Sequence, residues 1–179
     1  MLVRDARLED LSEVVAIYNE EIPKTTATWT EKLQTLDERI AWFKARSARN
    51  FPTVVAEVDA KVVGVAAFGD FRDSIVKEGY RFTVEHSVHV TESMWGKGVG
   101  RALMQRLFEE AKRRSVHAMI GGVDAANTGS IVFHERLGFR EVARMPETGF
   151  KFGRWLDLVF MQRLFDEAAK ARNAHAGGA

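Results

Sequence analysis

The sequence predicts an α+β fold, a mixed sheet layered with helices, on three observations. β-branched runs at 53–58 and 62–68 are separated only by Asp59-Ala60-Lys61, the pattern of an antiparallel hairpin. Apolar residues at helical spacing recur at Leu11, Val14, Val15 and Tyr18, and again at Val99, Leu103, Leu107 and Ala111. A strand, a glycine turn and a helix follow one another at the centre of the chain, around Gly96-Lys97-Gly98-Val99-Gly100.

Taken in order, residues 2–7 read as a short first strand. Asp10 stands where a helix cap belongs, before a helix that Pro23 closes. A threonine-rich loop, Thr25-Thr26-Ala27-Thr28-Trp29-Thr30, carries one large aromatic. A second helix is expected to turn Leu36, Ile40 and Phe43 inward. The hairpin comes next, then a polar loop over 69–80 and a strand from Arg81 to Val90. The helix from Gly98 to Arg114 leads to a strand at His117–Val123. Asn127 caps a short helix that Gly138 ends, and strands near 139–145 and 152–163 complete the sheet. If a cofactor is to enter, the central strands must splay.

Size and composition bound the function. The chain has 179 residues and no repeat or linker, so the expectation is one domain over 1–166 with a frayed tail over 167–179. Lys and Arg number 26 against 25 Asp and Glu, which lacks the basic excess of a nucleic-acid binder. There is no cysteine, which removes disulfides, a thiolate nucleophile and cysteine zinc sites. The N-terminus lacks the pattern of a signal peptide, and no run approaches the roughly 20 apolar residues of a membrane span. The expected setting is the cytoplasm, with no membrane partner.

The glycine turn carries the first chemical signal. Glycines at alternate positions let backbone N–H groups turn inward, and with the helix N-terminus they form an anion site suited to a pyrophosphate. Lys97 and Arg101 add positive charge. A dinucleotide fingerprint needs its third glycine one residue later, and a Walker loop needs Gly-Lys-Ser/Thr. Two glycines suffice for a plain turn, so three spaced ones favour a ligand.

At this turn the chain resembles the GNAT N-acetyltransferase superfamily, whose signature is Gln/Arg-x-x-Gly-x-Gly/Ala. Here it reads Trp95-Gly96-Lys97-Gly98-Val99-Gly100, with Trp95 in the place of Gln or Arg. The resemblance covers about residues 2–164 and is closer than the superfamily. Ile17-Tyr18-Asn19, Thr25 to Trp29, Phe68-Gly69-Asp70-Phe71-Arg72, Val84-Glu85-His86-Ser87-Val88 and Lys151 to Asp157 look like the phosphinothricin and methionine sulfone/sulfoximine acetyltransferases. That resemblance implies a mostly antiparallel central sheet with helices on both faces. It also implies acetyl-CoA as cosubstrate, a small amino-acid-like substrate and a homodimer.

Alternation along the strand from Arg81 puts Phe82, Val84, His86, Val88 and Val90 on one face. Arg81, Thr83, Glu85, Ser87 and His89 fall on the other, a polar row leading to the cofactor turn. A solvated face would look the same, but the position beside the turn favours a cleft wall. A β-bulge would bring His86 into it. Acetyl transfer needs a neutral amine, a polarised thioester carbonyl and a protonated leaving thiolate. Glu85 is the candidate general base, where the resemblance places the catalytic glutamate. Backbone amides of Val88, His89 and Val90 are the expected oxyanion and pantetheine partners.

The resemblance makes Asn127 a pantetheine contact; Ser130 and His134 share its helical face. His134 is the nearest titratable group where many relatives carry a tyrosine thiol donor, and it is assigned that role. Arg72 is the expected clamp for a substrate carboxylate, with Arg81 as a second candidate and Asp73, Ser74, His86 and Ser87 nearby. Lys151 to Trp155, and Trp29, are candidates to complete the pocket. His86-x-x-His89 puts its rings on opposite faces, so no metal is expected.

Three functions are weighed. The first is a small-molecule N-acetyltransferase. The second acetylates protein N-termini or lysines and needs an open, acidic groove. The third is a catalytically silent CoA-binding sensor, against which the intact polar row speaks.

Overall fold

The protein is described by a computed structural model covering residues 1–165; the tail expected at 167–179 lies outside the described residues. Seven strands form one sheet in the order β1-β2-β3-β4-β5-β7-β6. They are β1 (Leu2–Asp5), β2 (Thr53–Val58), β3 (Lys61–Asp70), β4 (Thr83–Val90), β5 (Ala118–Asp124), β6 (Arg140–Lys151) and β7 (Arg154–Leu164). All neighbours are antiparallel except β4 and β5. The expected hairpin is β2–β3, and Asp59 and Ala60 take positive φ of 50° and 60°, as a tight two-residue turn requires.

Helices α1 (Leu11–Glu21) and α2 (Leu36–Ala48) lie on one face, α3 (Val99–Arg113) and α4 (Thr128–Arg136) on the other. Strand alternation feeds both cores. Val54 and Ala56 pack under α3 with Leu103, Met104 and Leu107, while Val55 and Val65 meet Val14, Ile17 and Tyr18 of α1. The predicted inward stripe of α3 is almost fully buried.

Two local expectations change. Asp10 does not cap α1 with its side chain. Its carboxylate instead accepts the Arg7 amide at 2.7 Å and the Arg4 guanidinium at 2.7 and 2.8 Å, which holds its pKa below the usual carboxylate range. In α2 the apolar stripe does not face the sheet: Leu36 is 42% exposed, whereas Arg39 is 3% exposed. Arg39, Trp42 and Arg46 lie inward, roughly a quarter turn from the expected face. The sheet beneath is the polar row of β4, so an apolar stripe has no core there to join. β4 itself begins at Thr83, leaving Arg81 in the preceding turn.

Candidate active site

β4 ends in the glycine turn. Gly96 and Gly98 take φ of +73° and +83°, which L side chains adopt at a cost, and a Cβ at either would meet open space. Backbone geometry alone therefore explains these two glycines. Gly98 is the N-cap of α3, and the first helical bond runs from Ala102 N–H to Gly98 C=O. The amides of Val99, Gly100 and Arg101 precede that bond and are the groups a helix start offers to an anion. Lys97 and Arg101 are exposed beside them. Trp95, half-exposed, folds back so that Nε1–H donates to Val90 C=O at 2.6 Å. It thus spends its one polar group on the strand end.

The central strands splay. β4 and β5 pair only through Thr83↔Ala118, Val84↔Met119 and Glu85↔Ile120. Beyond Glu85 they separate around a cavity of about 300 Å³. Its walls are Glu85 to His89 of β4, Gly121 to Asp124 of β5, Thr26 to Trp29 of the threonine loop, and Asn127, Ser130 and His134. The expected amide donors at Val88–Val90 thus lie along or beside the open edge. On the other side of Glu85, His86 and Ser87 a second cavity of about 680 Å³ extends under α2.

Glu85 stands where the two cavities meet. It is open to the cleft, yet the surrounding walls push its pKa above the usual carboxylate value. That is the direction a base for an amine needs. His89, on the same row, is buried against α1: its Nδ1 lies 2.6 Å from Glu21, and its ring sits 4.1 Å from Tyr18. Its side chain is thereby committed, leaving its backbone for a ligand.

No bulge interrupts β4. Its register with β3 runs unbroken from Gly64↔Val90 to Asp70↔Val84. His86 reaches the cavity wall without one, because β5 has peeled away. Its ring centroid lies 5.1 Å from His134 and 5.3 Å from Phe139, and neither ring nitrogen has a partner. Burial, and then the neighbouring His134 and His89, push its pKa well below 6.5, so it is neutral. His86 and His89 face opposite sides of the sheet, as the alternation predicts.

His134 is 4% exposed, and burial lowers its pKa. Nδ1 lies 2.7 Å from the Ser130 carbonyl, which only accepts, so Nδ1 carries the proton. Nε2 is then a bare acceptor without a partner. This neutral ring can take a proton but cannot give one first. Asn127 caps α4 as predicted: its Oδ1 accepts the Ser130 amide at 3.0 Å, which leaves its amide N–H groups for a ligand.

The threonine loop is tied down at three points. Thr26 donates to buried Asp124 at 2.5 Å. Lys151, 1% exposed, donates to the carbonyls of Thr25 and Thr28 at 2.7 Å each. The Trp29 ring occupies the space a Gly149 side chain would fill. Lys151 thus supports the wall rather than lining it. Trp155 lies outward, 60% exposed against Phe150.

Arg72, Asp73 and Arg81 are exposed, and none lines either cavity. Arg72 lies over Phe71 and Tyr80, Arg81 donates to Glu78 C=O, and Ser74 donates to Asp70. The cavity under α2 holds Arg39 and Arg46 instead, with Tyr18 and Trp42. The sequence reading missed these. Their signal was Arg39-x-x-Trp42-x-x-x-Arg46, a polar and aromatic stripe at helical spacing beside the weaker apolar one.

Residues 14–139 match the acetyltransferase (GNAT) family. The chain is 44% identical to an L-methionine sulfoximine/L-methionine sulfone acetyltransferase of Salmonella typhimurium, over 94% of this chain and 97% of that one. It is 36% identical to a phosphinothricin N-acetyltransferase of Alcaligenes faecalis, over 90% and 81%. Among solved structures, an acetyltransferase of Salmonella typhimurium with its cofactor acetyl-CoA aligns with a TM-score of 0.87 and 43% identity, over 93% and 94%. A ribosomal-protein-alanine N-acetyltransferase of Brucella melitensis aligns with a TM-score of 0.88 and 43% identity, over 92% and 100%.

Proposed function

The chain belongs to the GNAT family of acetyltransferases, and we propose that it moves the acetyl group of acetyl-CoA to the α-amine of a small amino acid or analogue. Methionine sulfone, methionine sulfoximine and phosphinothricin define the substrate type, as the relatives' names and the cavity under α2 support. The observation that carries the reading is Glu85 at the junction of two cavities, one in the splay and one under α2.

In this reading the pyrophosphate rests on the Gly96–Arg101 turn, and pantetheine extends along the open edge of β4 at Val88–Val90. Asn127 and Ser130 lie along its path. The amine enters from the α2 side as an ammonium. Glu85, directly or through water, takes one proton so that a lone pair forms. Nitrogen attacks the thioester carbon, and the oxygen becomes an oxyanion held by a β4 amide. The C–S bond then breaks. The second amine proton passes to the thiolate, with the Nε2 of His134 as the acceptor that relays it. One N–C bond forms, one C–S bond breaks, and one proton leaves to solvent. His134 thereby acts as acceptor first and donor second, which replaces the simple donor role expected from the sequence.

The reading includes a cytoplasmic setting, where acetyl-CoA is available. One continuous sheet with a core on each face supports a single acetyltransferase domain. The exposed apolar edge at β6 supports a homodimer.

Acetylation of protein N-termini is the second reading, favoured by the alignment with the ribosomal-protein-alanine enzyme. The two are separated by measuring free-thiol release over amino acids, their sulfone, sulfoximine and phosphinate analogues, and a peptide panel. Turnover of amino acids with none on peptides supports the first reading; the reverse sinks it. Thiol release on either excludes a silent sensor.

A further inference from the structure

The underside of α2 is unusual for a helix lying on a sheet. It presents two arginines and a tryptophan where an apolar stripe would normally pack. Arg39 is buried between the rings of Tyr18 and Trp42, at 3.9 and 4.5 Å, with its Nε unpaired. Arg46 lies 4.6 Å from the Trp42 ring, and its Nε is also buried without a partner. Gln34 accepts from Arg39, but neither guanidinium forms an ion pair among the described residues. Two of the nearby acids are engaged elsewhere. Asp70 pairs with Arg49 at 2.5 Å and accepts from Ser74, and Glu38 pairs with Lys32 at 2.6 Å. A guanidinium left unpaired in a cavity wall is costly unless an anion completes it.

Where Arg46 sits decides which anion. A Cβ built on Gly69 would lie 2.9 to 3.1 Å from its Nη2, Nη1 and Cζ, so the guanidinium occupies the space of a Gly69 side chain. Gly69 pairs directly with Glu85 across β3 and β4. Directly paired residues project to the same face with Cβ atoms roughly 5 Å apart. Arg46, over Gly69, and Glu85 therefore border one cavity from the same face of neighbouring strands, while the Glu85 carboxylate turns toward β5, its Oε1 3.6 Å from where a Gly122 Cβ would lie.

We propose that Arg46 is the anchor for the substrate's α-carboxylate, reinforced by the charge of Arg39, and that Gly69 is bare so that Arg46 can lie beside Glu85. This rests on the amino-acid reading above. It makes a free carboxylate next to the amine the determinant of specificity, and it places that determinant on α2 rather than in the 71–82 loop.

The test compares methionine sulfone with its carboxamide as kcat/KM per neutral amine. The wild type should favour the acid by roughly a hundredfold, the scale of a charged hydrogen-bonded pair. Equal rates overturn the proposal without any variant. Arg46→Met should remove most of the preference while the KM for acetyl-CoA stays in place, Arg46→Lys should retain part of it, and Gly69→Ala should weaken it by displacing the guanidinium. Equal losses on both compounds in Arg46→Met and Arg46→Lys show a merely structural arginine. A preference lost in Arg72→Met and kept in Arg46→Met assigns the carboxylate to the loop; either result overturns the proposal. A wild type that acetylates no amino acid or amide at all sinks the substrate reading itself.

Discussion

Glu85 makes a prediction with two readouts. Burial raises its pKa, so the acid limb of kcat/KM against pH should lie above the usual carboxylate value of 4.5. Glu85→Gln should lower kcat/KM by about 10²–10⁴, the usual worth of a positioned base, with acetyl-CoA binding intact. Stability moves the other way. A carboxyl with a raised folded pKa favours folding while protonated, and that contribution is lost as pH rises through the folded value. At neutral pH the charged form is penalised in the fold, so Glu85→Gln should melt higher than wild type. The gain should vanish as pH falls below 4.5. A variant that melts lower at neutral pH contradicts the burial argument. His134→Phe keeps an aromatic beside Phe133 and Phe139 but removes the Nε2 acceptor. It should cost about 10²-fold in kcat with little change in either KM, read by steady-state thiol release.

At the scale of elements, the glycine turn gives the sharpest prediction. Gly98→Ala meets no neighbour, so its whole effect comes from a φ of +83°. It should cost about 1–2 kcal/mol of stability, measured by denaturant unfolding, and raise the KM for acetyl-CoA while sparing that of the amine. An unchanged KM would separate the turn from the cofactor. This unit was fully legible in the sequence, because alternate glycines and the stripe Val99, Leu103, Leu107 and Ala111 are local signals. The polar row of β4 was legible for the same reason, since alternation needs only one strand. α2 was not. Its apolar residues predict one face, but which face turns inward is set by a distant polar strand, and periodicity within the helix cannot report that. The route by which His86 reaches the cavity was hidden for a related reason: it comes from the departure of β5 after Ile120 and not from a bulge, a tertiary event that leaves no mark on β4 itself.

At the scale of the molecule, β6 is an edge strand exposed along almost its whole length. With β7 it carries Val142, Met145, Phe150, Phe152 and Trp155, each between 44% and 60% exposed. A long apolar edge is an invitation to pairing, which is the support for the homodimer proposed above. The same hairpin supports the active-site wall: Lys151 holds the threonine loop, and the Phe152 amide donates to Glu31 at 2.8 Å. If the dimer packs on this hairpin, loss of the partner loosens the support of the loop over the splay. The double variant Phe150→Asp, Trp155→Ser should therefore sediment as a monomer at concentrations where the wild type is a dimer. Its kcat/KM should fall several-fold while its unfolding stays cooperative, because both cores lie elsewhere. A wild type that sediments as a monomer, or a double variant that stays dimeric, removes the hairpin as the interface. A monomeric variant with full activity keeps the interface and breaks its link to the threonine loop.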